Sequence, residues 1–178
     1  VLLADPQALR VRYIVDPVTG EPVVACAADA GESEDWRLFV PEESEGSLML
    51  AGHPVALDVN RDGVCDRWVG YHGTPASARF FRLAVEWSRI GAAVFDAEDS
   101  KAVNRLAAEE GRVLRAIRAD GVLAKGLSGM GGVIVGVDES GVDIRVHRDL
   151  RRVVFPNTAR SADDALAMLR ALLSGGEG

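Results

Sequence analysis

The chain has 178 residues, of which 48% are hydrophobic and 26% charged, the balance of a soluble globular protein with enough apolar material for a sizeable core. Its formal net charge of -7 works against binding a phosphate polymer, whose affinity rests on clustered Lys and Arg, and so argues against nucleic acid as a partner. No apolar run approaches the roughly 18 residues that span a bilayer; the opening VLLADPQALR also meets Asp5 and Pro6 too soon for a secretory signal, so a soluble, cytoplasmic protein with no membrane contact is expected.

The predicted elements begin as short apolar runs between turn residues: LRVRYIVD, the turn PVTGEP, VVACAADA, the acidic loop GESED and WRLFV. The connections PEESEGS, NRDG and HGTPAS then punctuate VALDV, DRWVGYH and RFFRLAVEW. Short strands separated by Gly, Pro, Asn and Asp predict an antiparallel barrel or sandwich. Within RFFRLAVEW, Phe81, Leu83, Val85 and Trp87 recur at period two, as expected of a half-buried strand.

After Asp99 the texture changes. Ser100 is placed to cap a helix through KAVNRLAAEEGRVLRAIRAD, on which Val103, Leu106, Ala107, Val113, Leu114 and Ile117 approximate one apolar stripe, broken or kinked at Gly111 and stopped at Asp120-Gly121. GVIVGVD, the turn ESG and VDIRVH predict a hairpin, and RRVVFP a third strand. Ser161 with Asp164 three residues later resembles a capping arrangement for a last helix, where Ala165, Leu166, Leu169, Leu172 and Leu173 share a face. The chain therefore divides near residue 99, into a β-rich part over 1–99 and a helix, three strands, helix part over 100–178.

DVNRDGVCDRWV, from Asp58 to Val69, spells much of a calcium loop, with Asp58, Asn60 and Asp62 spaced by two, Gly63 at the turn and Asp66 in ninth place. The twelfth place, where a bidentate Glu completes the coordination, is Val69, and the flanks read as strands. A hairpin turn with no metal is the expectation, because Asn, Asp and Gly are also what such a turn demands. GMGGVIVG lacks the third glycine of a dinucleotide fingerprint, since Ile134 stands there, and its glycines are expected to lead flexibly into a strand. Cys26 and Cys65 form no CxxC pair, which excludes a zinc ribbon or redox dithiol and leaves a single disulfide open.

The three histidines, His53, His72 and His147, have no second histidine at metal-ligand spacing. His147 and Arg148 lie in RVHRDLRR, whose four arginines suit a small anion or, more blandly, a solvated strand face. Neither a GxSxG motif nor a P-loop is present, and no residue is assigned a catalytic step.

Two stretches resemble the FMN-binding split-barrel proteins of the HugZ type, associated with haem utilisation. RFFRLAVEWSRIGAAVFDAED, Arg79 to Asp99, resembles that family's last barrel strand and its exit. EEGRVLRAIRADGVLAKG, VGVDESGVDIRV and RRVVFP resemble its C-terminal helix, hairpin and strand. The resemblance implies an α+β fold, with a split β-barrel over 1–99 and a small α+β domain over 100–178. It also implies a homodimer and a small-molecule cofactor or tetrapyrrole, FMN or haem, serving haem breakdown or flavin-dependent redox chemistry.

Cofactor-binding candidates under that resemblance are Arg67, His72, Arg79, His147 and Arg148, with Arg82 as a further phosphate partner and His53, His72 or His147 as the axial ligand of a haem. The sequence departs from the family where its helix reads His-Met-Asn and then Asp-His: here stand Ala116, Ile117 and Arg118, then Asp120 and Gly121. The barrel segment that frames the flavin phosphate survives only as Ser47, Leu50, Ala51 and His53 in SEGSLMLAGHPVALDV. These losses make a non-catalytic binding or regulatory protein, with the fold kept and no cofactor, the alternative.

Overall fold

Every second residue, Trp36 and Leu38 in one stretch and Phe81, Leu83 and Val85 in another, is buried in one core, and these stretches, Trp36–Val40 and Arg79–Ile90, are two of the strands around which the first part of the chain curls. The computed structural model describes every residue except Asp5, Pro6, Glu45, Ser77, Met130, Arg148 and residues 175–178. The fold is α+β, in two compact units, Val1–Val103 and Asn104–Gly178.

The first unit is an antiparallel sheet curled into a half-barrel. Its strands are β1 (Leu2–Ala4), β2 (Gln7–Leu9), β3 (Tyr13–Val15), β4 (Pro22–Cys26), β5 (Trp36–Val40), β6 (Leu48–Ala56), β7 (Arg79–Ile90) and β8 (Ala93–Asp96). They run in the order β2-β1-β5-β6-β7-β4-β3, with β8 beside the far end of β7. One face carries Leu2, Trp36, Leu38, Leu50, Phe81, Leu83 and Val85, all buried. Trp36 anchors this core, meeting Phe81 edge-on at 5.4 Å between centroids and donating its indole N-H to the Ala30 carbonyl at 3.1 Å.

Three expectations fail in this unit. VALDV is not a separate strand: β6 starts earlier, at Leu48, and takes in only Val55 and Ala56 of it. DRWVGYH is not a strand but most of helix α1 (Val64–His72), so the Asp58 loop joins strand to helix and is no hairpin turn. The helix wins because Cys65, Trp68 and Tyr71 recur every third residue and are buried together, a period no strand presents to one side. Trp87, at 37% exposure, leaves the face of Phe81, Leu83 and Val85 because β7 carries a bulge: Val85 pairs with Gly52 and Trp87 with Ala51, so Glu86 is the extra residue. Downstream the alternation is inverted, and Ser88 takes the buried position.

The second unit holds α2 (Glu110–Ala119), α3 (Gly121–Ser128), β9 (Val133–Asp138), β10 (Gly141–Val146), β11 (Asp149–Val154) and α4 (Ala162–Ser174). The expected hairpin and third strand are present, and the three strands form the antiparallel order β11-β10-β9. Val113, Ile117, Leu123, Leu127, Val137, Val142, Ile144 and Leu169 form the core. The expected α4 cap is present, with Asp164 N-H donating to Ser161 Oγ at 3.2 Å and Arg160 N-H to Asp164 Oδ2 at 3.1 Å.

The long helix expected from Ser100 does not form before Glu110. Ala102 N-H is bound to the Gly20 carbonyl at 3.1 Å, and Asn104 Oδ1 accepts from Leu106 N-H at 2.8 Å, a local turn that competes with a helix. Gly111 lies within α2 and breaks nothing, while Asp120 is both the stop of α2 and the N-cap of α3, accepting from Val122 at 3.0 Å and Leu123 at 3.2 Å. At the outer edge of β9, two side chains bind the backbone of Val137. Asn104 donates to the Val137 carbonyl at 2.9 Å, and buried Glu110 accepts from Val137 N-H at 3.0 Å.

Candidate functional site

The side of the half-barrel sheet opposite its core holds the candidate site. Cross-strand pairing sets two rows there: Leu3, Arg37, Ala51 and Trp87 in one, and Phe39, Met49 and Arg89 in the next. A groove of about 570 Å³ lies over them, lined by Leu3, Arg37, Phe39, Met49, Trp87 and Arg89, with Glu43 and Ser44 from the β5–β6 connection. Phe39 and Met49 form a buried floor, whereas Arg37, Trp87 and Arg89 are exposed at its margins. Among the described residues neither guanidinium has a carboxylate within 4.0 Å. The site thus offers an apolar floor, an indole wall and two cations without an ion-pair partner among those residues, features that suit a flat anionic molecule.

The bulge in β7 is what completes this face. In a regular ladder Trp87 would follow Val85 into the core; the extra residue turns it out beside Glu86. Gly52 opposite the bulge permits this, since a Cβ there would fall on the Ala84 carbonyl oxygen. One step along β6 from Ala51, His53 stands on the groove side, with Nδ1 3.1 Å from Glu86 Oε1. A shallower acidic recess lies around it, lined by Ser33, Glu34, Asp35, His53, Pro54 and Glu86.

Within the first unit, the residues nominated by resemblance, Arg67, His72 and Arg79, are not among those that line this groove. Arg67 and His72 belong to α1, whose Trp68 lies edge-on to Phe80 at 5.5 Å at the other end of β7. Arg67 lies over the Tyr71 ring at 5.1 Å and donates to its hydroxyl at 3.0 Å. His72 Nε2 is 3.0 Å from the Tyr13 carbonyl, with its ring edge-on to Trp68 at 4.7 Å, so it ties α1 to β3. Arg79 pairs across to Cys26 and shares the side of Phe81, opposite to Phe80, at the exposed start of β7. Arg82 is engaged by buried Asp16 at 3.0 Å. His147 lies in the second unit, at the β10–β11 turn with φ 57°, and Arg148 falls outside the described residues.

Other sequence features resolve into structural roles. In the Asp58 loop, Asp62 Oδ2 accepts from Asp58 N-H at 2.7 Å and Asp58 Oδ1 from Asn60 N-H at 2.9 Å, so these carboxylates shape the turn that starts α1. Among the described residues no group of three or more His, Cys, Asp and Glu side chains is placed to hold a metal ion. Cys26 and Cys65 are free and buried, and burial, with nearby acidic residues, pushes both thiols up to about 11. The β11 arginines follow the bland reading: Arg151 is exposed, and Arg152 bridges Asp138 and Asp143, which hold its guanidinium firmly protonated.

No protein-family model matches the chain, and no curated protein does. A crystal structure of a protein of unknown function from Agrobacterium tumefaciens is similar, with a TM-score of 0.64, 17% identity, and coverage of 92% of this chain and 82% of that one. At that identity the likeness is one of fold. A haem-binding protein from Mycobacterium smegmatis also matches at 17% identity over 93% of this chain and 84% of its own, but with a TM-score of only 0.37.

Proposed function

We propose that the first unit binds a flat, anionic, aromatic cofactor, haem or FMN, the ligands that the HugZ-type resemblance implies, in the groove over Phe39 and Met49. The observation that carries this reading is the pair Arg37 and Arg89 at the margins of a floor made of Phe39 and Met49. Haem is an apolar disc with two carboxylates, and FMN an apolar ring system with a phosphate. Either needs apolar area under the ring and guanidiniums for the anion, and the donor set supplies both. A groove of about 570 Å³ lies within the usual range for such ligands. Arg67, His72 and Arg79 are then structural or peripheral, and recognition in the first unit passes to Arg37, Trp87 and Arg89.

Titration of the purified chain with haemin and with FMN tests the reading. A saturable Soret shift, or saturable quenching of flavin emission, is expected for at least one; silence with both overturns it.

The alternative, a non-catalytic binding or regulatory protein, draws on a different observation. The β7–β8 hairpin leaves Ile90 at 49% and Val94 at 64% exposure, apolar surface of the kind a protein partner covers. A second copy of the chain is the partner that the homodimeric reading assigns there. Dilution in sedimentation velocity distinguishes a dimer from a monomer awaiting another protein.

A further inference from the structure

We infer that the groove takes a carboxylate-bearing tetrapyrrole by its ring faces and its rim alone, so that a metal-free porphyrin is held as tightly as haem; this rests on the cofactor reading above and narrows its ligand class. The donor set decides the question of the metal. Iron in a haem protein takes its protein ligand from His, Cys, Tyr or a Met paired with His. Among the described residues that line the groove there is no His, Cys or Tyr. Met49 brings the one sulfur, sunk in the floor at 5% exposure, and no imidazole among those residues opposes it. Glu43 offers only a carboxylate, outside the usual set. His53 belongs to the separate recess with Glu86, and His72 Nε2 is 3.0 Å from the Tyr13 carbonyl, so neither stands where an axial ligand is needed.

The placing of the cations selects the ring. Arg37 on β5 and Arg89 on β7 are separated by β6 and by one row of pairs, Arg37 standing in line with Ala51 and Trp87, Arg89 with Met49 and Phe39. Their Cα atoms therefore lie about 10 Å apart across the strands and about 7 Å apart along them. A single phosphate would have to gather both guanidiniums to one point over the floor, where the ring itself has to lie. Nor does a hydroxyl take the place of one of them, because Ser44 Oγ is engaged at 2.7 Å by Ser47 Oγ within the β5–β6 connection. Two carboxylates on the rim of a broad ring instead meet the guanidiniums at opposite margins in charge-assisted hydrogen bonds, while Phe39, Met49 and Trp87 cover the ring. A ligand held in this way gains nothing from a metal at its centre, which suits a site that holds a tetrapyrrole rather than one that oxidises it.

The test is titration of the full chain, native and Arg37→Ala/Arg89→Ala, with haemin, metal-free protoporphyrin, protoporphyrin dimethyl ester and FMN, read by quenching of tryptophan emission. Both arginines are exposed, so their substitution leaves the core untouched, and cooperative melting checks that the variant folds. The expected result is that haemin and protoporphyrin bind the native chain within about threefold of each other, that the dimethyl ester binds about tenfold more weakly, and that the double variant loses about tenfold for both porphyrins alike. Haemin bound more tightly than protoporphyrin by a wider margin, or an ester bound as tightly as the free acid, overturns the inference and leaves the cofactor reading standing, as does binding of FMN with neither porphyrin. Undiminished porphyrin binding by the double variant overturns the groove itself, and no saturable binding of haemin, protoporphyrin or FMN overturns the cofactor reading.

Discussion

Gly52 and Glu110 show how much can rest on one side chain or on its absence. A methyl at position 52 meets the Ala84 carbonyl, backbone that gives way only if β6 and β7 part at the bulge. Gly52→Ala is expected to destabilise the first unit by about 1–3 kcal/mol, the usual range for overpacking, and to disturb Trp87. Thermal unfolding followed by tryptophan emission reads this directly, because Trp36, Trp68 and Trp87 all lie within Val1–Val103. In the second unit, Glu110→Ala strips the acceptor from the buried Val137 N-H at a cost of about 1–3 kcal/mol, whereas Glu110→Gln keeps an acceptor and restores much of it. Amide exchange at Val137 should quicken in the first variant and stay near native in the second.

The thiols set a third residue-scale outcome. Cys26 and Cys65 are pushed from 9.0 up to about 11 in the folded chain, so below pH 9 they are protonated in both states and their burial costs nothing electrostatically. As pH climbs from 9 through about 11 the unfolded chain releases these protons first, and stability falls. Half-buried Tyr13, also pushed up by that burial, acts in the same direction above pH 10. The tryptophan-detected melting point should therefore decline through that window and decline less in Cys26→Ala/Cys65→Ala; equal declines would show that other groups govern it.

At the scale of elements, what the sequence discloses depends on whether a local pattern has a rival. β5, the β9–β10 hairpin, β11 and α4 carry their own periodicity and turn residues, and each stands close to where the pattern puts it. Helix α1 was hidden because a short run, DRWVGYH, reads as a strand between turns until its burial at every third residue is seen. Helix α3 was hidden by Gly121 and Gly126, which lower helix propensity; a capped start at Asp120 and packing of Gly126 against Leu173 stabilise it instead. Neither glycine at 111 nor at 126 interrupts its helix, a case of tertiary packing outweighing intrinsic preference. The bulge left no mark in RFFRLAVEW itself. Only the isolated Gly52 in the middle of β6 hinted that two backbones approach closely, and that hint needs the pairing to be read.

At the scale of the molecule, the α+β class and the half-barrel could be read from the chain, whereas the groove could not. Resemblance directs attention to arginines and histidines placed near familiar phrases, but Arg67, His72 and Arg82 are drawn into the packing of α1, β3 and β7. The residues that do share a groove, Arg37, Phe39, Met49, Trp87 and Arg89, are brought together by cross-strand register among β5, β6 and β7, which no single segment encodes. Alternation in WRLFV places Arg37 and Phe39 on one side, and that was the available signal.

The most direct measurement of the central claim is an equilibrium titration of the native chain and of Arg37→Ala/Arg89→Ala with haemin and with FMN, read by quenching of tryptophan emission and checked by absorbance. The account predicts saturable binding of at least one ligand by the native chain and a loss of roughly tenfold or more, about 1.4 kcal/mol, when both guanidiniums are removed from a protein that still melts cooperatively. Equal affinity in the two proteins, or no saturable binding of either ligand by the native chain, would contradict it.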